Sequence, residues 1–283
     1  LWELGQASGI AGLQINDPNA KYKKLNPLFG DAGYTDQLIA SDRKTLVKKD
    51  PIPSFKPPLK FQKVVVPTNF PGKKYEGYIG NNYFIGPHYF VFEITKPGAQ
   101  NYMDMAGGIV TGGGGDKSIN VYVSEYKGSL ESGGKNLLQF NYFNKVSGRV
   151  DTQRINLQKL PKGYYLMRVD DPRKYFKVMF SPSISYSLIT APDNRYWGAS
   201  FYTCFYVPKG TVKFRVFKDI EVSLISPTGR KIDFRIKKPE ELDVDVQPGE
   251  EGLWYMSFVN GKFHIEGIPP ILGMDASHML IPQ

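Results

Sequence analysis

The sequence predicts an all-β protein: one or two antiparallel β-sandwich units, jelly-roll or immunoglobulin-like, carrying an extended N-terminal arm. Three observations predict it. Residues 201–270 alternate apolar and polar side chains: Val212, Phe214 and Val216 interleave with Lys213 and Arg215, Ile232, Phe234 and Ile236 with Asp233 and Arg235, and Leu242, Val244 and Val246 with Asp243 and Asp245. A period of two puts one face of each strand in a core and the other in water. Turn signals separate these runs at Pro208-Lys209-Gly210, Ser226-Pro227-Thr228-Gly229, Pro248-Gly249 and Asn260-Gly261. Composition agrees, since 18 Tyr and 18 Phe favour strands while 29 Gly and 21 Pro favour turns.

Taken in order, residues 1–59 form the arm. LWELG leads into polar, Gly- and Pro-punctuated sequence, with one short helix expected from Asp36 to about Lys48. Pro51, Pro53, Pro57 and Pro58 then impose an extended linker. The arm has too few apolar residues for a core, so it orders only by docking, on its own sandwich or on a neighbouring subunit through strand addition or swapping.

Strands begin at Phe61 with FQKVVVP, YEGYIG and NNYFIGPHYFVFEIT, the last broken at Gly86-Pro87. KPGAQNYMDMAGG and TGGGGDKS read as loops. INVYVSEY, LLQFNYF, RVDTQRINL, GYYLMRV, YFKVMF and SISYSLI read as further strands. A boundary near Pro192 to Gly198 leaves enough strands on either side for a sheet pair, giving domains at 60–195 and 196–283.

The net charge of +9 suits an acidic partner such as an anionic polysaccharide, nucleic acid or a negatively charged surface. The single cysteine, Cys204, excludes an intramolecular disulfide framework, and its aromatic setting predicts a buried, inert thiol. No apolar run is long enough to span a bilayer. Because the chain opens on Leu1, it is expected to be a processed product or a fragment, which leaves room for a removed leader.

Catalytic patterns are weak. Gly112 to Gly115 precede Asp116-Lys117-Ser118, but a phosphate loop needs Gly directly before Lys and a helix after it. The three histidines, His88, His264 and His278, lack metal-ligand spacing. His88 beside Tyr89 could form a Tyr/His proton-transfer pair of the polysaccharide-lyase kind, against its reading as a strand histidine stacked among aromatics. Asp243 and Asp245 share one strand face near Glu250 and Glu251 and could hold Ca²⁺, the one cofactor the carboxylates suggest. The competing reading is cross-strand pairing with Lys213, Arg215, Arg235 and Lys237. Tyr196, Trp197, Tyr202, Tyr206, Trp254 and Tyr255 are the candidate glycan or interface contacts, because flat rings with a polar handle suit sugar faces and protein interfaces.

Residues 201–283, through FYTCFYVPKGTVKFRV, VSLISPTGRKI, GLWYMSF and IEGIPPILG, resemble accessory β-sandwich modules of large secreted bacterial polysaccharide-processing proteins. The resemblance implies the fold and an extracellular setting, and carries over no catalytic residue. The hairpin Ser226-Pro227-Thr228-Gly229 lacks the acidic residues of the corresponding turn in those modules, which removes one ion ligand.

The sequence therefore reads as a non-catalytic extracellular or cell-surface protein. Its first reading is a structural subunit that self-assembles as a homo-oligomer through the arm. The alternative is a carbohydrate-binding module for an acidic polysaccharide, and a lyase ranks third. Nucleic acid is not expected as a partner.

Overall fold

Alternation sorts the side chains of this chain into two faces per strand, and the sheets follow from burying one face against another. The computed structural model describes residues 60–68, 70, 83–109, 118–128, 135–143, 152–170, 175–191, 194–197, 201–219, 221–235, 240–258 and 261–283. All of them fall in one compact unit, Ile52–Gln283. The arm, its expected helix, the YEGYIG strand and the Gly112–Lys117 loop lie outside the described residues.

In chain order the strands are β1 (Phe61–Lys63), β2 (Tyr83–Ile85), β3 (His88–Ile94), β4 (Tyr102–Ile109), β5 (Ser118–Glu125), β6 (Leu138–Phe143) and β7 (Thr152–Asn156). There follow β8 (Gly163–Asp170), β9 (Tyr175–Phe180), β10 (Ser185–Ile189), β11 (Arg195–Trp197), β12 (Phe201–Val207) and β13 (Lys213–Lys218). The last are β14 (Val222–Ile225), β15 (Lys231–Phe234), β16 (Glu240–Asp245), β17 (Gly252–Phe258), β18 (Gly261–Glu266), β19 (Ile271–Gly273) and β20 (Leu280–Pro282). A 3₁₀ turn at Ala276–His278 is the one helical element among the described residues.

Ten strands form one sheet in the order β15-β14-β17-β12-β19-β10-β3-β8-β5-β6, and eight form a second in the order β16-β13-β18-β11-β2-β9-β4-β7. The strand pairings are antiparallel, so the fold is the predicted all-β sandwich. Both sheets run across the boundary expected between residues 195 and 196: β10 pairs with β3 and β19, and β11 pairs with β2 and β18.

One apolar cluster fills the space between the sheets, from Met103, Val121 and Phe176 at one end to Phe205, Phe214 and Trp254 at the other. A second cluster lies on the outer face of the ten-stranded sheet. There Val91, Leu166, Ile189, Cys204 and Tyr255 are covered by Phe61, Val64 and Phe70 and by Ala276 to Ile281. β1 and β20 pair with each other as a two-stranded flap, and the Tyr164 hydroxyl donates to the Phe61 carbonyl at 2.8 Å. Cys204 is the predicted buried thiol, with Sγ 3.4 Å from the Gly273 carbonyl.

Two local expectations are corrected. KPGAQNYMDMAGG, read as a loop, contains all but the last residue of the eight-residue strand β4. Met, Asp, Ala and Gly are weak strand formers, but Met103 and Met105 are fully buried between the sheets, and pairing on both flanks with β7 and β9 overrides local propensity. Val212, grouped with Phe214 and Val216 on the buried face, is 79% exposed because β13 starts one residue later. Elsewhere the turn chemistry holds: Gly86 (φ +83°) bends the chain between β2 and β3, and Gly229 (φ +88°) closes the Ser226–Gly229 turn.

Candidate functional site

Strand parity decides which predicted aromatics can reach a ligand. Tyr196 and Trp254 face the space between the sheets and are 2% and 0% exposed. Tyr196 packs edge-on against Phe258 and Phe201, and Trp254 stacks on Phe205 while its indole N–H donates to the Glu250 carbonyl at 2.6 Å. Both are core residues and correct the expectation that they contact glycan. Tyr255 lies on the opposite face but is buried in the second cluster, with Phe70 edge-on to its ring. Trp197 belongs to β11, and its side chain lies outside the described residues. Tyr206 and Tyr202 are half-buried on the outer face, and Tyr202 lies parallel to Tyr255 at 6.3 Å.

Tyr202 is the wall of an open cleft of about 430 Å³. The cleft has a register origin. Tyr202 stands opposite Ser257, Ser257 opposite Ser223, and Ser223 opposite Asp233, a row running through β12, β17, β14 and β15. Two small residues in the middle leave a trough between the tyrosine and the charged edge strand. At one strand spacing per step the trough measures about 14 Å from Tyr202 to Asp233. Lys231 and Asp233 of β15, and Arg235 just beyond its end, project to the cleft side, and Glu221 also lines the cleft.

Asp233 anchors the charged wall. Its carboxylate accepts a hydrogen bond from the Ser223 hydroxyl, lies 2.9 Å from Lys231 Nζ and is 3.8 Å from Arg235 Nη2. The Ser223 hydroxyl and then Lys231 hold the carboxyl below the usual carboxylate range. The Asp233 side chain is 25% exposed, against 57% for Lys231 and 85% for Arg235, so the cations stand outermost on this wall. A flat ring, hydroxyls, two carboxylates and two cations around one trough can stack on a sugar face while donating to and accepting from its hydroxyls.

Of the two proposed Ca²⁺ ligands, Asp243 has its carboxylate engaged by cations. Asp243 is the direct cross-strand partner of Arg215, which grips it through Nε at 2.6 Å and Nη2 at 3.3 Å, with Lys213 Nζ at 3.9 Å. Asp245 stands opposite Lys213, and its backbone carbonyl accepts from Arg230 Nη2 at 2.7 Å. Glu250 is 1% exposed and takes a bidentate grip from Arg230 at 2.6 and 2.5 Å, plus the Gln247 N–H at 2.9 Å. Burial pushes its carboxyl up, but Arg230 and Gln247 outweigh that and hold it near a pKa of about 2. Among the described residues no three His, Cys, Asp or Glu side chains form a group that could hold a metal ion.

The sheet also separates the suggested Tyr/His pair. His88 is fully buried between the sheets against Phe84, Phe176 and Tyr196, whereas Tyr89 packs on the outer face. Since a carbonyl only accepts, His88 Nδ1–H donates to Gly86 O at 3.0 Å, which leaves Nε2 unprotonated. Burial lowers its pKa to about 4 against that carbonyl's opposing pull.

Sequence reasoning found Tyr202 and missed Ser223, Ser257, Lys231, Asp233 and Arg235 as site residues. Ser223 and Ser257 sit at outward positions of VSLI and GLWYMSF, where a serine between two strands of larger side chains signals a depression, but only once the register is known. Compared with known proteins, the chain matches no family and no curated relative.

Proposed function

We propose that this chain is a non-catalytic binding protein of the extracellular space or cell surface, and that it holds an acidic polysaccharide along the cleft beside Tyr202. The observation that carries this reading is the row Tyr202–Ser257–Ser223–Asp233. It sets an accessible ring at one end of a trough and outward cations at the other. The +9 net charge supports an anionic partner by raising its local concentration. Affinity electrophoresis of the full chain through gels containing an acidic polysaccharide tests it. Retardation at low salt that weakens as salt rises is expected; no retardation at low salt removes the reading.

Self-assembly is a second reading, favoured by the sheet ends. Among the described residues β6, β7, β15 and β16 each pair on one flank only, the geometry that accepts an added strand. Residues 1–59, the segment proposed to add to a neighbour, lie outside the described residues. Sedimentation of the full chain and of a form lacking 1–59 separates the outcomes: loss of a higher-order species supports assembly through the arm, and an unchanged profile rejects it.

A further inference from the structure

We propose that Asp233 determines the specificity of the cleft, acting as a resident counter-ion that an anionic group on the bound glycan replaces. This inference rests on the glycan-binding reading above and adds the chemical class of the ligand: a sugar carrying a carboxylate or a sulfate.

The geometry is that of a placeholder. Asp233 is tethered by the hydroxyl of Ser223, its cross-strand partner, and faces Lys231 and Arg235, two residues away on either side of it in the chain. Ile232 and Phe234, which alternate with these three, pack against the core between the sheets and fix the parity of the edge strand. Arg235 meets the carboxylate through one long contact at 3.8 Å, so most of its five donors remain for a second anion. Lys231 holds a closer 2.9 Å contact on a mobile four-carbon stem and can turn from Asp233 toward the trough.

A neutral sugar has no charge to set against these pairs and gains only stacking and neutral hydrogen bonds. A carboxylated or sulfated sugar seated on Ser257 and Ser223, with its ring on Tyr202, brings its anionic oxygens to the outer side of the same two cations. Asp233 then competes with the ligand. Its negative charge lowers the affinity for every anion and keeps the cations from binding small anions indiscriminately.

The test measures binding of three oligosaccharides of equal length, one neutral, one uronic-acid and one sulfated, to the full-length chain and its variants by calorimetry. Wild type is expected to prefer the charged ligands. Asp233→Asn should strengthen binding of the charged ligands roughly two- to fivefold, the scale of one exposed ion pair, and leave the neutral ligand unchanged. Lys231→Ala with Arg235→Ala should lower the charged ligands to the level of the neutral one. Preference for the uronate alone or the sulfate alone supports the proposal and names the anion. Should Asp233→Asn weaken neutral and charged ligands alike, Asp233 binds sugar hydroxyls directly and the proposal is overturned. It is equally overturned if wild type binds all three equally, an outcome that leaves glycan binding intact. Binding of none of the three removes both. A circular dichroism spectrum of Asp233→Asn that matches wild type guards against a folding defect in that variant.

Discussion

Tyr202 and Asp233 stand at opposite ends of one cross-strand row, separated by Ser257 and Ser223 on the two strands between them. The row explains why a depression opens beside the part of the face that the β1–β20 flap and Phe70 cover. Filling it is expected to abolish binding without harming the fold. Ser257→Phe places a ring in the trough on the outward side of β17, where surface substitutions usually change stability by less than about 0.5 kcal/mol. Glycan affinity should drop at least tenfold while the urea midpoint stays in place; retained affinity moves the site elsewhere.

Glu250 ties two turns together. Arg230, just after the Ser226–Gly229 turn, holds its carboxylate with two hydrogen bonds, and the Gln247 N–H adds a third. A carboxyl held near 2 against an ordinary 4.5 contributes stability that is complete above pH 4.5 and lost as pH falls toward 2. The full window is worth roughly 3 kcal/mol. Urea midpoints of wild type and Glu250→Gln across pH 2–6 check this: the variant should be about 2–3 kcal/mol less stable at pH 6, with the difference closing toward pH 2. A constant gap would refute the assignment.

His88 sets a different acid window. In the unfolded chain it binds a proton near pH 6.5, while in the core it resists protonation down to about 4. Stability therefore falls as pH drops from 6.5 to about 4, by roughly 3 kcal/mol in full, and this loss stops below the lower value. His88→Phe removes the titrating group, so its stability should be flatter across that range in chemical denaturation. An unchanged slope would show that another group carries it.

Gly273 is required by a close approach. A Cβ there would meet Cys204 Sγ at 2.8 Å and Met279 Cγ at 2.8 Å, where the C-terminal segment crosses the outer face of the sheet. Gly273→Ala should cost about 1–3 kcal/mol through overpacking. The same change with Cys204→Ala should recover part of it, because one of the two nearest obstructing atoms is then gone while Met279 remains. Equal losses in the single and double variants would contradict the contact.

Much of this architecture was legible in the sequence because strand parity is local. FYTCFYV, GLWYMSF and the runs around Phe214 and Val244 announce strands without help from the rest of the chain. Parity also separates Tyr202 from Phe201 and Trp254 from Tyr255, yet it does not say which face is covered. That depended on Phe61, Val64, Phe70 and the C-terminal residues Ala276, Met279, Leu280 and Ile281 packing over the face that holds Tyr255 while leaving Tyr202 half open. β4 escaped notice because Met103 and Met105 are strand residues through burial and two-sided pairing, not through propensity. The cleft was hidden for a nonlocal reason. Ser223, Asp233, Tyr202 and Ser257 come from four strands, and only their register sets them in line.

The most direct test of glycan binding along this cleft compares wild type with Tyr202→Ala in calorimetric titrations with an acidic oligosaccharide at low salt. Tyr202 is half-buried at the cleft wall and stacks on Tyr255, so the variant should stay folded with a stability loss of about 1 kcal/mol. Its affinity should fall at least tenfold, and that of wild type should weaken as salt is added. Equal affinity in the two proteins, or no binding by wild type, would contradict it.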